Sequence, residues 1–368
     1  MDTITAPAGL KGVVVADTAV GDVRGSEGFY HYRDHDALDL ARRASFEAAW
    51  ALVVDGDLST PVVPDRTLPP DAWPLVDAVA ARTTDPVVAM RSLLPLVVPS
   101  RPTIDQTPAE RRAVAQRAAA VVPTLIAAVH RRSRGLEPVE PDPTLGHAAD
   151  YVRMVTGRPV DAAAARAIEA YLIATIDHGF NNSTFTARVV ASTGADVVSA
   201  IVAASESLSG PLHGGAPARS LEMIEAIGDP TNTEAWLLPR LAAGEKVMGF
   251  GHAIYRADDP RSRLLREVAH TLRDRDRDGL IDRAVEIEQR ILALLRAYKP
   301  DHPIQTNVEY YAAVVMHLAG LPRELFTPTF TVSRVVGWTA HILEQAAHNK
   351  IFRPAARYVG PPPAVLTR

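Results

Sequence analysis

From residue 107 onward, helix-length segments follow one another with marked ends, and no alternating strand pattern interrupts them. Thr107-Pro108-Ala109-Glu110 is a capping box with proline at the first helical position, and it opens an Ala-rich apolar pattern that predicts a helix over 108–133. Asp161 predicts the cap of a helix running to about His178, where Gly179 supplies a left-handed stop. Ser183 or Thr184 starts the next helix, Gly194 interrupts it, and the run VVSAIVAAS carries it to about Gly210. Further helices are predicted over 217–227, 234–243, 260–273, 280–298, 308–319 and 328–349, each bounded by Gly, Pro or a capping residue. Such a chain buries its apolar stripes helix on helix, so the predicted class is all-α. The exception is the N-terminal stretch 10–33, where β-branched and aromatic residues alternate with Gly and Asp and predict a short strand-and-turn element.

Composition narrows the functional classes. Lys plus Arg number 39 against 43 Asp plus Glu, a net charge of −4, which argues against a nucleic-acid or polybasic membrane-surface protein. The length of 368 residues allows two core-bearing units of roughly 100–200 residues each. The absence of cysteine removes disulfides, thiolate nucleophiles and Cys-ligated metals. No apolar run is read as reaching the ~18 residues of a membrane span, and the N-terminus MDTITAPAGL lacks a signal-peptide pattern, so a cytoplasmic location is expected. Many of the 29 prolines cluster in 61–103 and 137–159, where they punctuate short helices and connections. The run RDRDRD at 273–278 reads as a solvated helix end or loop.

The common phosphate-loop, dinucleotide, serine-elbow, zinc and calcium motifs are absent. His31 and His35 stand four apart but lack a third ligand, so no metal is expected. What remains is three histidines in glycine-rich junctions: DHGFNNST around His178, GPLHGG around His213 and GFGHAIYRADDPR around His252. Each singly has a plainer reading as a hydrogen-bonded helix-terminal residue. Together with Arg261, Glu309, Arg334 and Arg353 they form a set suited to a carboxylate-bearing carbonyl compound. Arginines offer bidentate forks to carboxylates, histidines donate to carbonyl oxygens, and a carboxylate removes a proton. Asp259 and Pro260 predict a cap and first helical residue, placing Arg261 in a first turn where an anion is favoured. His178 falls near a helix C-terminus, which favours its cationic form. Glu309 has a competing structural reading, because Thr306-Asn307-Val308-Glu309 is itself a capping-box pattern.

These blocks, with GVVVADTAVGDVRG, ASFEAAWALVVDGDL, DHGFNNSTFTARVVAST, GPLHGGAP, GFGHAIYRADDPRS, NVEYYAAVV, TVSRVVGW and IFRPAARYVGP in this order, make the chain resemble a citrate synthase of the compact bacterial and archaeal type. The resemblance covers nearly the whole chain. It implies an all-α homodimer with a large domain of residues 1–213 and 319–368, a small inserted domain of residues 214–318, and an active site in the cleft that domain closure assembles. It further implies that His213 hydrogen-bonds the acetyl-CoA thioester carbonyl, that Glu309 stands at the catalytic base, and that His252 donates to the oxaloacetate carbonyl. His178, Arg261 and Arg334 match oxaloacetate-binding positions, and Arg353 matches an arginine reaching in from the neighbouring subunit. Arg256 matches a position associated with coenzyme A phosphates, and the backbone around Val247, Gly249 and Gly251 would flank the adenine. No cofactor or metal is implied, since acetyl-CoA is a substrate.

One residue departs from the family pattern: Glu309 stands where Asp is usual. The resemblance therefore implies citrate synthase activity with a 2-methylcitrate synthase using propionyl-CoA as the alternative, and a non-catalytic ligand-binding paralogue as a distant one. The Ala- and Val-rich helices at about 183–208 fit a dimer interface and fit burial within one subunit equally.

Overall fold

In the computed structural model, residues 4–210, 213–214, 216–251, 254–255, 258–301 and 304–363 are described. The chain opens with a three-stranded antiparallel sheet, β1 (Gly21–Arg24), β2 (Phe29–Tyr32) and β3 (His35–Asp36), in the order β1-β2-β3. Gly21 pairs with Tyr32 and Arg24 with Phe29, a register that turns Tyr30 and Tyr32 of β2 into the interior. Helices follow in the order α1 (Ala37–Arg43), α2 (Phe46–Asp55), α3 (Ala72–Ala80), α4 (Pro86–Val97) and α5 (Pro108–Arg132). They continue with α6 (His147–Thr156), α7 (Ala162–Thr175), α8 (Asn182–Ser192), α9 (Val197–Ser209) and α10 (Ala216–Ile227). The last five are α11 (Thr233–Ala242), α12 (Pro260–His270), α13 (Leu280–Tyr298), α14 (Val308–Leu318) and α15 (Phe326–Ala347). Among the described residues the protein is thus an all-α fold with one small sheet, as the segment pattern predicts.

The helix ends follow from local chemistry. Thr107 and Glu110 form the predicted capping box of α5, and Asp161, Asp196 and Asp259 cap α7, α9 and α12 through their side chains. Several boundaries differ from the sequence reading, among them α12, which ends at His270 rather than 273, and α15, which lies two residues earlier than 328–349 at both ends. Asn181, rather than Ser183 or Thr184, caps α8, and α7 stops at Thr175, three residues before His178. RDRDRD behaves as predicted, with Arg273 paired to the exposed Asp282 and Asp276 accepting from the first backbone amides of α13.

Helices α5 and α15 form the centre of the core. The 25-residue α5 corrects one expectation, because it is long and apolar enough by composition to cross a membrane. Its stretch from Ala118 to His130 is buried throughout, packed against α3, α4, α6 and α15. Helix α15 crosses the end of α7 so closely that a Cβ at Gly337 would collide with the carbonyl oxygen of Ile176.

His147, at the start of α6, is buried with neither ring nitrogen hydrogen-bonded among the described residues, stacked on Phe46 at 5.0 Å and edge-on to Trp50 at 5.7 Å. Burial, with the nearby Arg66 charge, pushes its pKa down to about 3. The unfolded chain therefore binds a proton that the folded chain refuses between about pH 6.5 and 3, and this site weakens the fold as pH falls through that window. Removing a buried unsatisfied polar group is worth about 1–3 kcal/mol. His147→Leu should raise Tm by ~2–4 °C at pH 8 and by more at pH 5, read by calorimetry at both values.

Candidate active site

The sheet and α7 together set where His178 sits. The hydroxyls of Tyr30 and Tyr32 donate to the carbonyl oxygens of Ala174 (2.9 Å) and Ile173 (2.8 Å), satisfying acceptors that the helix end leaves open. The chain then turns through Asp177, His178 and Gly179. The φ of Gly179, +61°, is left-handed, but the residue falls four beyond the end of α7 at Thr175, so it shapes the turn after the helix and is not the helix stop expected from the sequence. His178 is buried between the rings of Tyr30 and Tyr255, at 5.5 and 5.4 Å, with its Nε2 2.9 Å from the Tyr255 hydroxyl.

Arg261 takes the first-turn position predicted for it. Asp259 caps α12 by accepting the Arg261 backbone N–H, and its carboxylate also receives the Arg261 Nε (3.0 Å) and Nη2 (2.8 Å). Burial opposes the guanidinium charge, but this bidentate pair outweighs it and holds the Arg261 pKa above its ordinary value. The Arg261 guanidinium also lies 5.9 Å from the centre of the Tyr255 ring. From α15, Arg334 enters the same region, completely buried, donating through Nε to Thr175 O at 2.8 Å and lying over Phe330. Burial lowers its pKa, opposed chiefly by the Asp177 carboxylate, and Arg261 adds a like-charge effect. Burial also works against ionisation of Asp177, yet His341, Arg334 and the Gly179 N–H hold its pKa below the usual value.

Glu309 does not close a capping box. The cap of α14 is Asn307, which accepts the Glu309 backbone N–H at 3.0 Å, and no hydrogen bond to the Glu309 carboxylate is found among the described residues. Burial raises its pKa to about 7, moderated by the Arg261 charge and reinforced by Asp259. The neighbouring Val308 N–H donates to Asp259 at 3.0 Å, so the starts of α12 and α14 share one carboxylate. The same helix start is fastened to the Val247–Gly251 loop: Gly251 N donates to Gln305 O, Asn307 N to Gly249 O, and Asn307 Nδ2 to Gly251 O. Gly249 has φ +80°, and a Cβ there would press on Tyr310 and Ser220.

His213 precedes α10, with its Nε2 2.9 Å from Ser183 Oγ. Burial, assisted by the Arg334 charge, depresses its pKa to about 4, so the ring is neutral at pH 7. The hydrogen bond that fixes the ring, invisible in the sequence, comes from Ser183 near the start of α8.

His178, His213, Arg261, Glu309 and Arg334 therefore converge from five parts of the chain. His252 and Arg256 lie outside the described residues. Arg353 is not in this cluster; it is exposed, in the extended segment after α15, on a groove of about 1080 Å³ lined also by Asp17, Arg188 and Lys350. Sequence reasoning missed Tyr255, Asp177, Ser183 and Trp338. Each falls inside or beside a recognised block, but nothing local marks which partner it meets. Among the described residues, no cluster of His, Asp or Glu could hold a metal ion.

The pattern that defines the citrate synthase C-terminal domain matches residues 9–355. The chain belongs to the citrate synthase family. It is therefore a member of a family of acyltransferases. It is 38% identical to a putative citrate synthase 2 of Mycobacterium tuberculosis, over 96% of this chain and 93% of that protein. It is 37% identical to a 2-methylcitrate synthase of the same species, over 97% and 91%. The fold matches the citrate synthase of the archaeon Thermoplasma acidophilum, solved with carboxymethyl coenzyme A and oxaloacetate, with a TM-score of 0.86, 25% identity and 97% of each chain covered. Relatives described as a putative citrate synthase and as a 2-methylcitrate synthase are thus similar to this chain at 38% and 37% identity, and family membership leaves the acyl donor open.

Proposed function

We propose that the protein condenses acetyl-CoA with oxaloacetate and water to give citrate and coenzyme A. One observation carries this reading: a carboxylate with no hydrogen bond among the described residues, its pKa raised by burial to about 7, stands at a helix start beside a buried arginine pair and a neutral histidine. A base poised near neutral pH, next to cations that attract a dianionic partner, is what proton abstraction beside a carbonyl requires.

Glu309 takes a proton from the acetyl methyl group while His213 donates a hydrogen bond to the thioester oxygen that gains charge. The resulting carbon attacks the oxaloacetate ketone carbon, and the ketone oxygen receives a proton from His252. His178, Arg261 and Arg334, with Arg353 from the second subunit of a homodimer, neutralise the two carboxylates. Arg256 meets coenzyme A phosphates, and the backbone of Val247, Gly249 and Gly251 flanks the adenine. Water then adds to the acyl carbon of the citryl thioester, and the thiol leaves with a proton. Closing of residues 214–318 over the large unit excludes bulk water during these steps. The expected setting is the cytoplasm, with no cofactor or metal.

The preference for acetyl-CoA is tied to Glu309, one methylene longer than the Asp usual at that position and the site residue that departs from the family pattern. One methylene is worth about 10–200-fold in a fitted pocket. Side-by-side steady-state assays should give kcat/KM at least ~10-fold higher for acetyl-CoA than for propionyl-CoA. The opposite ratio would assign the protein to 2-methylcitrate synthesis.

A further inference from the structure

Asp177 lies over Gly337, where an added Cβ would come 3.4 Å from the Asp177 Cβ, and so sits between two residues on one face of α15. Arg334 is three residues before Gly337 and His341 four after it, two helical turns apart. All three side chains, Asp177, Arg334 and His341, are buried. A carboxylate taken out of water needs donors, and this one stands between two of them. It takes His341: Asp177 Oδ1 is 3.2 Å from His341 Nε2, and Oδ2 accepts the Gly179 N–H at 3.1 Å. No hydrogen bond or ion pair joins Asp177 to Arg334 among the described residues.

Arg188, on α8, makes that choice firm. Its guanidinium is held by Gln345 Oε1 at 3.0 Å and by the Glu344 carboxylate, and its Nη1 lies 3.3 Å from His341 Nδ1. A guanidinium only donates, so Nδ1 is the acceptor and the ring hydrogen is on Nε2, aimed at Asp177. The Asp177 charge still attracts Arg334 through space, where it opposes the effect of burial on the guanidinium. Without the His341 donor, Oδ1 would be left bare, and the remaining side-chain donor along this face of α15 is Arg334.

We propose that His341 is a positioning residue: it holds the Asp177 carboxylate off Arg334 and so keeps that guanidinium for a carboxylate of the substrate. His341 touches no reacting atom. The consequence for substrate rests on the reading of Arg334 as an oxaloacetate ligand, whereas the arrangement of the three side chains is a property of the protein without substrate.

The test is His341→Phe, which keeps a ring and removes the donor. In its ligand-free crystal structure Asp177 should turn to Arg334. The oxaloacetate KM should rise at least ~10-fold, with kcat and the acetyl-CoA KM unchanged. Adding Asp177→Asn to that variant removes the competing charge and should bring the oxaloacetate KM most of the way back. His341→Gln, whose amide can donate to Asp177 and accept from Arg188, should keep the wild-type oxaloacetate KM. If the phenylalanine variant fails to fold, His341→Asn, which still accepts from Arg188 but is too short to reach Asp177, should show the same selective rise. An unchanged oxaloacetate KM in the folded phenylalanine or asparagine variant, a rise shared equally by both substrates, or a glutamine variant as impaired as phenylalanine would overturn the proposal. So would an Asp177 carboxylate that stays off Arg334 in the ligand-free variant. Should wild type not consume oxaloacetate at all, the proposed reaction fails, and the ligand-free structures still decide this inference separately.

Discussion

Glu309→Gln should lower thiol release from acetyl-CoA and oxaloacetate by roughly 10³-fold, since a positioned general base contributes ~10²–10⁴-fold. The oxaloacetate KM should stay close to the wild-type value, because the carboxylate's task is the proton of the acetyl group. Wild-type kcat/KM should rise with pH through about 7 and level off above it, because only the ionised Glu309 is a base. The variant should lose that rise. Instability does not explain such a loss. A carboxyl whose pKa is raised from 4.5 to about 7 on folding binds more protons folded than unfolded in that range. Ionised Glu309 therefore weakens the fold progressively as pH rises from 4.5 to 7, and glutamine removes the penalty. At pH 8 the melting temperature of Glu309→Gln should equal or exceed that of wild type.

Gly337→Ala should be the most damaging single-methyl addition. The new Cβ meets the carbonyl of Ile176, a backbone atom at the end of α7 that cannot swing aside as a side chain does. Relief requires α15 and α7 to part. That movement would strain the Thr175 O to Arg334 bond and the Thr175 to Ser333 hydroxyl contact, both of which cross this junction. A cost of about 3 kcal/mol is expected, seen as a Tm fall of ~6–12 °C. Because Asp177 and His178 follow Ile176 directly, the folded fraction should also show a raised oxaloacetate KM. A melting temperature within a degree of wild type would mean that the close approach of α15 to α7 is not required.

Most helix ends were legible because they are decided locally. Asp161, Asp259 and the Thr107–Glu110 pair each satisfy their own helix's amides, and the structure uses all of them. The misread caps, at α8 and α14, are those where several neighbours could cap and a distant contact chose between them. At α8 the run Asn181, Asn182, Ser183, Thr184 offers four candidates, and Ser183 is drawn away to Trp338 and His213, leaving the cap to Asn181. At α14 the Thr306–Glu309 spacing imitates a capping box. Asn307 takes the cap instead because its own amide groups are bound to Gly249 and Gly251, more than fifty residues away in sequence. That distant choice is what leaves the Glu309 carboxylate available for chemistry.

The site was legible in its charged residues and opaque in what orients them. His178, His213, Arg261, Glu309 and Arg334 stand out by residue type and glycine-rich context. The Tyr255 hydroxyl on His178, the Asp259 carboxylate bridging α12 and α14, and the Ser183 hydroxyl on His213 depend on which helices meet. No spacing rule within one segment encodes such meetings.

The most direct test of the proposed reaction is thiol release by wild-type protein from acetyl-CoA, with and without oxaloacetate, with citrate counted in the product. The account predicts release that depends strictly on oxaloacetate, with one citrate formed per thiol. Calorimetric binding of oxaloacetate and acetyl-CoA with no thiol release and no citrate would contradict it and make the protein a ligand-binding member of its family.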